Sequence, residues 1–143
     1  MLDRAVRPFI FINAAMSADG KTSTLERKQV RTSSKEDLGR VDELRAGADA
    51  IMVGIGTVLA DNPSLTVKSK ERWDKRVRQG KHENPVRVVV DSSARTPVDA
   101  EVLEKGAGKR IVAVSRAAPE SRVKKLSKKA EIITAGDREV DLE

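Results

Sequence analysis

Short, β-branched apolar runs recur along this chain, and each ends in glycine or a small polar residue. They are 50–54, 86–90, 111–114 and Ile132-Ile133. Runs this short and this continuously apolar do not alternate between a wet and a dry face, so they suit strands of a buried, parallel sheet. Between them lie stretches with helical spacing. Ser34 with Asp37 three residues on reads as an acidic variant of a capping box, Leu38, Val41 and Leu44 follow at helical intervals, and Gly47 marks the end. Residues 119–129 open on a proline and turn Val123 and Leu126 inward. Strand and helix in alternation predict an α/β fold, a mostly parallel sheet flanked by helices. Four further expectations are a buried strand over 8–15, a turn at Asp19-Gly20, a brief strand over 65–67 and a helix beginning at Val140.

With 143 residues the chain has the length of one domain, and a domain of that size buries roughly 68–70% of its unfolded surface. No apolar run approaches the ~18 residues of a membrane span. The N-terminus carries no secretory pattern, so a cytoplasmic location is expected. The sequence contains no cysteine and a single histidine, His82. Disulfides, thiolate nucleophiles and Cys-based metal sites are thereby excluded, and a Ser-His-Asp triad or a His-based metal site has little to build on. The chemistry left uses carboxylates, hydroxyls, amides, Lys, Arg or a borrowed cofactor.

In open α/β sheets ligands gather beyond the carboxyl ends of the strands. Gly54-Ile55-Gly56-Thr57 lets a backbone approach an anion closely, and equally makes a tight strand-to-helix turn; it lacks the third glycine of the dinucleotide fingerprint and the Lys of a P-loop. Asp91, ahead of Ser92 and Ser93, is either a turn former or a ligand. Ser115-Arg116, between a strand and a helix, suits a phosphate or an exposed loop. Asn13, a polar residue in an apolar run, either bonds to neighbouring backbone or faces a cleft. The segment 68–84 holds seven Lys and Arg by Lys81 against Glu71 and Asp74, nearly the whole net charge of +6. Its Trp73 and Val77 fit a short amphipathic helix. The bland reading is a solvated loop. The sharper one is a non-catalytic module that binds an anionic partner such as nucleic acid, with no recognition motif and one aromatic residue in its favour.

Four blocks resemble the riboflavin-biosynthesis reductase family, most closely its stand-alone archaeal type: Asn13-Ala14-Ala15-Met16-Ser17-Ala18-Asp19-Gly20-Lys21, Glu43-Leu44-Arg45-Ala46, the run 51–67 with Gly54-Ile55-Gly56-Thr57-Val58-Leu59-Ala60-Asp61-Asn62-Pro63-Ser64-Leu65-Thr66-Val67 at its centre, and Asn84-Pro85-Val86-Arg87-Val88-Val89-Val90-Asp91-Ser92. The resemblance covers nearly the whole chain in order. It implies a dihydrofolate reductase-like fold. The implied activity is NADPH-dependent reduction of the ribosylamino side chain of a pyrimidine 5′-phosphate to ribitylamino, by hydride transfer to the imine formed on ring opening. The same resemblance implies cofactor contacts at Thr57, Asp61, Asp91, Ser92 and Ser93, with Gly136 a weaker one, and substrate contacts at Asn13, Met16, Leu65 and Lys68. Arg116 joins the cofactor set on its place after a strand, where an adenosine 2′-phosphate fits. A homodimer is also implied, with no metal and no assigned general acid. Family members run on beyond this C-terminus through a glycine-rich strand segment, so residues 1–143 are expected to be a single reductase domain whose C-terminal part is missing.

Overall fold

The computed structural model describes residues 7–22 and 34–142. Among them, four strands form one sheet in the order β1-β2-β3-β4: β1 (Ala50–Gly54), β2 (Val86–Val90), β3 (Arg110–Val114) and β4 (Glu131–Thr134). Every pair is parallel, with Ile51 opposite Arg87, Arg87 opposite Arg110, and Ile111 opposite Glu131. Sequence order equals spatial order, so each strand returns to its neighbour through a crossover. These carry α2 (Ile55–Asp61) and α3 (Lys70–Arg78), then α4 (Glu101–Glu104), then α5 (Glu120–Leu126), while α1 (Lys35–Gly47) precedes the sheet. No helix among the described residues is long and apolar enough to cross a membrane.

Side chains alternate across a strand, and the buried set lies on one face. Ile51, Val53, Val89, Val112, Val114 and Ile132 pack there against Val58 of α2, Val102 and Leu103 of α4, and Val123 and Leu126 of α5. On the opposite face Val88 and Ile111 are half-buried, and Met52 and Ile133 are exposed. Arg87 belongs to the covered face and has no exposed surface at all. Its guanidinium donates to the carbonyls of Lys105, Gly106 and Ala107, and the neighbouring Arg110 donates to those of Gly106 and Gly108. Burial first, and the charge of Arg110 second, lower the Arg87 pKa to about 10, so it stays charged at neutral pH.

The expected caps and turns are present. Ser34 Oγ accepts the Asp37 N–H at 3.2 Å, and α1 ends on Gly47. The 17–21 turn closes through Gly20, at φ 78°, with Ser17 N–H donating to Lys21 O at 2.8 Å.

Four expectations need correction. The run 50–54, expected as a buried strand, is strand β1 but lies at the end of the strand order, with Ile51 and Val53 half-buried and Ala50, Met52 and Gly54 exposed. The run 8–15 is neither buried nor in the sheet: Phe9, Ile10, Phe11 and Ile12 are 91%, 77%, 48% and 90% exposed. Apolar character marked the run as strand-prone, but a strand also needs a hydrogen-bonding neighbour, and the described residues give it none. Residues 65–67 are buried without forming a strand, because Leu65 takes a φ of 54° that no ladder accommodates. Residues 140–142 are not helical; Val140 N–H instead donates to Ser92 Oγ at 3.0 Å.

The basic segment forms α3, as its spacing allows, but Val77 points outward, and three of its seven cations are held in ion pairs. Lys70 pairs with Asp74 at 3.0 Å, Arg72 with Asp42 at 2.9 Å and Lys81 with Asp49 at 2.7 Å. Arg76 is buried and donates to the carbonyls of Ala46, Ala48 and His82 at 2.7–2.8 Å. It ties the end of α1 to the end of α3. Removing it leaves three carbonyls without a donor, each costing on the order of 1–3 kcal/mol. Arg76→Ala is therefore expected to lower the unfolding free energy by roughly 3 kcal/mol in urea titration. A loss under about 0.5 kcal/mol, the range of ordinary surface changes, would contradict that role.

Candidate functional site

Parallel pairing brings the carboxyl ends of all four strands to one edge of the sheet. Gly54 lies opposite Val90, Val90 opposite Ala113, and Val114 opposite Thr134. Three strand gaps of about 4.8 Å make this edge about 14 Å long. The segments leaving it are Gly54 to Thr57, Asp91 to Ser93, Ser115-Arg116 and Ala135-Gly136. They are joined to one another. Ser115 donates to Ser92 O through both its N–H, at 3.2 Å, and its hydroxyl, at 2.8 Å. Arg116 N–H donates to Gly136 O at 3.0 Å, and Ala135 N–H to Val114 O at 2.9 Å. Gly136, at φ 75°, turns so tightly that an added Cβ would lie 2.1 Å from Glu139 O. Only glycine fits there, and the turn sends the chain back so that Val140 reaches Ser92.

Along this edge the residues differ in what they present. Thr57 and Ser93 are exposed and Ser92 is half-buried. The exposed Arg116 guanidinium pairs with Asp137 at 2.6 Å. Asp61, the last residue of α2, is exposed at the far end of that helix from Thr57. Asp91 is wholly buried. Its Oδ2 accepts from Thr96 N–H at 2.6 Å and Thr96 Oγ1 at 2.7 Å, while Oδ1 is buried with no hydrogen-bond partner. Ala94, between them, takes a φ of 53°. Asp91 thus builds the turn that carries Ser92 and Ser93, and its carboxylate faces the interior.

The second group stands apart. Asn13 is exposed, and its Oδ1 accepts from Arg40 Nη2 at 3.0 Å, the same guanidinium that binds Asp37. It bonds neither to neighbouring backbone nor within a buried strand. Met16 is exposed. Leu65 is buried, and the Lys68 ammonium donates to Ser64 Oγ at 2.8 Å and Thr66 Oγ1 at 2.9 Å. Lys68 borders a concavity of about 380 Å³ whose other walls include Trp73, Glu83, Asn84, Lys105 and Gly106. These precede β2 and β3, so the concavity lies at the amino end of the sheet. Thr57 and Lys68 are separated by most of α2, whose seven residues are about 10 Å long. The structure brings Ser92, Ser93, Ser115, Arg116 and Gly136 together, sets Gly54 to Thr57 beside them, and leaves Lys68 at the opposite end of α2.

Several residues that organise these regions were given no site role from the sequence, although Asn62 and Asn84 stand in the blocks that resemble the family. Asn62, in the left-handed conformation at φ 42°, closes α2, and its Oδ1 accepts the first N–H of α4. Asp42 and Asn84 are buried and bond to the backbone after α2. They are isolated polar positions in helix-like and loop-like stretches, and only their partners reveal a role.

The description "RibD C-terminal domain" fits residues 8–143 as a family model. A 2,5-diamino-6-ribosylamino-4(3H)-pyrimidinone 5′-phosphate reductase of Archaeoglobus fulgidus is 55% identical over 137 residues, covering 96% of this chain and 62% of the relative. The protein of the same name from Methanothermobacter thermautotrophicus is 50% identical, covering 96% and 59%. The chain thus spans about three-fifths of the length of these curated relatives. In three dimensions it is similar to a pyrimidine reductase-like protein of Corynebacterium diphtheriae, with a TM-score of 0.70 at 22% identity, covering 86% of this chain and 53% of the other. It is also similar to Acinetobacter baumannii RibD, with a TM-score of 0.63 at 22% identity, covering 86% and 32%. These likenesses agree with the α/β fold expected from the sequence. The nucleic-acid reading draws no support from them.

Asp91→Ala is expected to destabilise the fold by about 2 kcal/mol, since it strips two buried donors of their acceptor. Guanidinium titration measures this. An unchanged midpoint would show that the 92–96 turn does not depend on Asp91.

Proposed function

The chain belongs to the RibD C-terminal domain family, and on that premise we propose that it forms the cofactor- and substrate-facing part of an NADPH-dependent oxidoreductase of riboflavin biosynthesis. The reaction is reduction of the ribosylamino side chain of a pyrimidine 5′-phosphate to ribitylamino. The names of the archaeal relatives support the diaminopyrimidinone over its uracil analogue. The reading includes a cytoplasmic homodimer, as the resemblance implies.

The observation that carries the reading is the row of polar loops along the carboxyl edge. Its length of about 14 Å suits an extended dinucleotide. Its groups fit that cofactor too: an exposed guanidinium at Arg116, hydroxyls at Ser92, Ser93 and Thr57, and backbone at Gly136. NADPH supplies the hydride when bound. The chain's own residues bind and orient. Arg116 exchanges its solvent-exposed pairing with Asp137 for a phosphate. Ser93 and Thr57 donate hydroxyls, and Asp91 acts from behind by holding the Ser92–Ser93 turn. Asp61, at the end of α2, lies between the cofactor edge and the substrate end. Lys68 meets the anionic end of the substrate, Leu65 packs beneath it, and Asn13 and Met16 approach from the N-terminal segment.

Direct titration tests the cofactor reading. Arg116→Ala is expected to weaken NADPH by about tenfold, or ~1.4 kcal/mol, and NADH far less. Equal weakening of both makes Arg116 an ordinary surface residue.

Asp61→Ala, in a form that turns over the diaminopyrimidinone substrate, is expected to lower the rate about tenfold. Because Asp61 is exposed, its stability cost stays within about 0.5 kcal/mol. Unchanged steady-state kinetics would remove it from the site.

A further inference from the structure

The chain between α2 and α3 has no regular secondary structure, so its amides find partners outside any ladder. Three in succession are captured. Val67 N–H donates to Asn84 Oδ1 at 2.9 Å, Lys68 N–H to Asp42 Oδ1 at 2.6 Å, and Ser69 N–H to Asp42 Oδ2 at 3.1 Å. The two acceptors come from different elements, Asp42 from α1 and Asn84 from the entry to β2, and both are buried. Each is held in turn. Asp42 Oδ2 also accepts from Arg72 Nη1 at 2.9 Å. Asn84 Nδ2 donates to Ala107 O at 3.0 Å, in the loop whose carbonyls bind Arg87 and Arg110. That loop abuts the segment closely: a Cβ on Gly106, at φ 69°, would lie 2.9 Å from Thr66 Cγ2 and 3.1 Å from Asn84 Nδ2.

The backbone at Lys68 is therefore gripped from two sides, while its side chain is exposed. An ammonium has three donors, and two are used on Ser64 and Thr66. The third has no acceptor among the described residues. A cation on a flexible four-carbon stem gains most from being located in advance, because ordering it on binding costs rotamer freedom.

We propose that Asn84 and Asp42 are positioning residues for Lys68, clamping its backbone so that the ammonium meets the phosphorylated end of a sugar phosphate. The inference rests on the reading above that Lys68 faces the substrate's anionic end. The clamp acts through backbone amides, so neither Asn84 nor Asp42 touches the ligand.

The test has two arms, both on the full 143-residue chain. In the first, amide hydrogen exchange follows Val67, Lys68 and Ser69. Asn84→Ala is expected to speed exchange at Val67, and Asp42→Asn at Ser69, by about tenfold over amides of β2; no local change overturns the clamp. In the second, ribose 5-phosphate is titrated by chemical shift. Lys68→Ala and Asn84→Ala are each expected to weaken it about tenfold, with no further loss from Asn84→Ala once Lys68 is gone. Equal losses from Asn84→Ala in both backgrounds give Asn84 a general structural role and overturn the proposal. If Lys68→Ala leaves the titration unchanged, the assignment of Lys68 to the substrate fails and takes the positioning role with it, while the exchange arm still reports the clamp by itself. Asp42→Asn repeats the titration cycle in case Asn84→Ala does not fold.

Discussion

Parallel pairing of β1, β2, β3 and β4 in sequence order forces every connection to travel from one end of the sheet back to the other. The crossovers then have to cover a face, and residues of α2, α4 and α5 form a single core with Val89, Val112 and Val114. The same constraint collects all the carboxyl ends at one edge. The loops there reach the core through Ala94 and are stitched to one another by Ser115, Arg116 and Val140. Core and candidate site are thus two consequences of one topology.

At the amino end the molecule solves a different problem with buried charge. Arg87 and Arg110, side by side on adjacent strands, have carbonyls rather than carboxylates as their partners, and Arg76 does the same between α1 and α3. Burying a guanidinium costs several kcal/mol unless its donors are met. Several carbonyls of irregular backbone meet them, and in return that backbone gains donors it lacks. The Nε atoms of Arg87 and Arg110 remain without a hydrogen-bond partner. The buried Arg87 and the half-buried Arg110 therefore shape the 105–108 loop, and through Asn84 that loop reaches the segment carrying Lys68.

Much of the fold was legible in the sequence where local chemistry decides the outcome. The apolar runs at 86–90 and 111–114 read as strands and are strands, Ser34 with Asp37 capped a helix, and Gly136 followed the end of the last strand. The family resemblance rested on continuous motifs and held across 8–143. What the sequence hid depends on partners distant in the chain. The run 8–15 has the composition of a strand, but pairing is a property of two segments. Leu65 looked like a strand residue, and its left-handed backbone, at φ 54°, has no signature in the local sequence. Asp91 could be read as turn or ligand, and only its bonds to Thr96 show which way the carboxylate points. The roles of Asp42 and Asn84 were hidden, because a buried polar residue is recognised by what it bonds to.

The account turns on the carboxyl edge being the surface that receives the dinucleotide. Adding NADPH to isotopically labelled protein and mapping amide shifts tests this residue by residue. The account predicts the largest shifts at Gly56, Thr57, Ser92, Ser93, Arg116 and Gly136, with Glu83, Asn84, Lys105 and Gly106 little moved. Shifts concentrated at the amino end of the sheet, or none at millimolar NADPH, would contradict it.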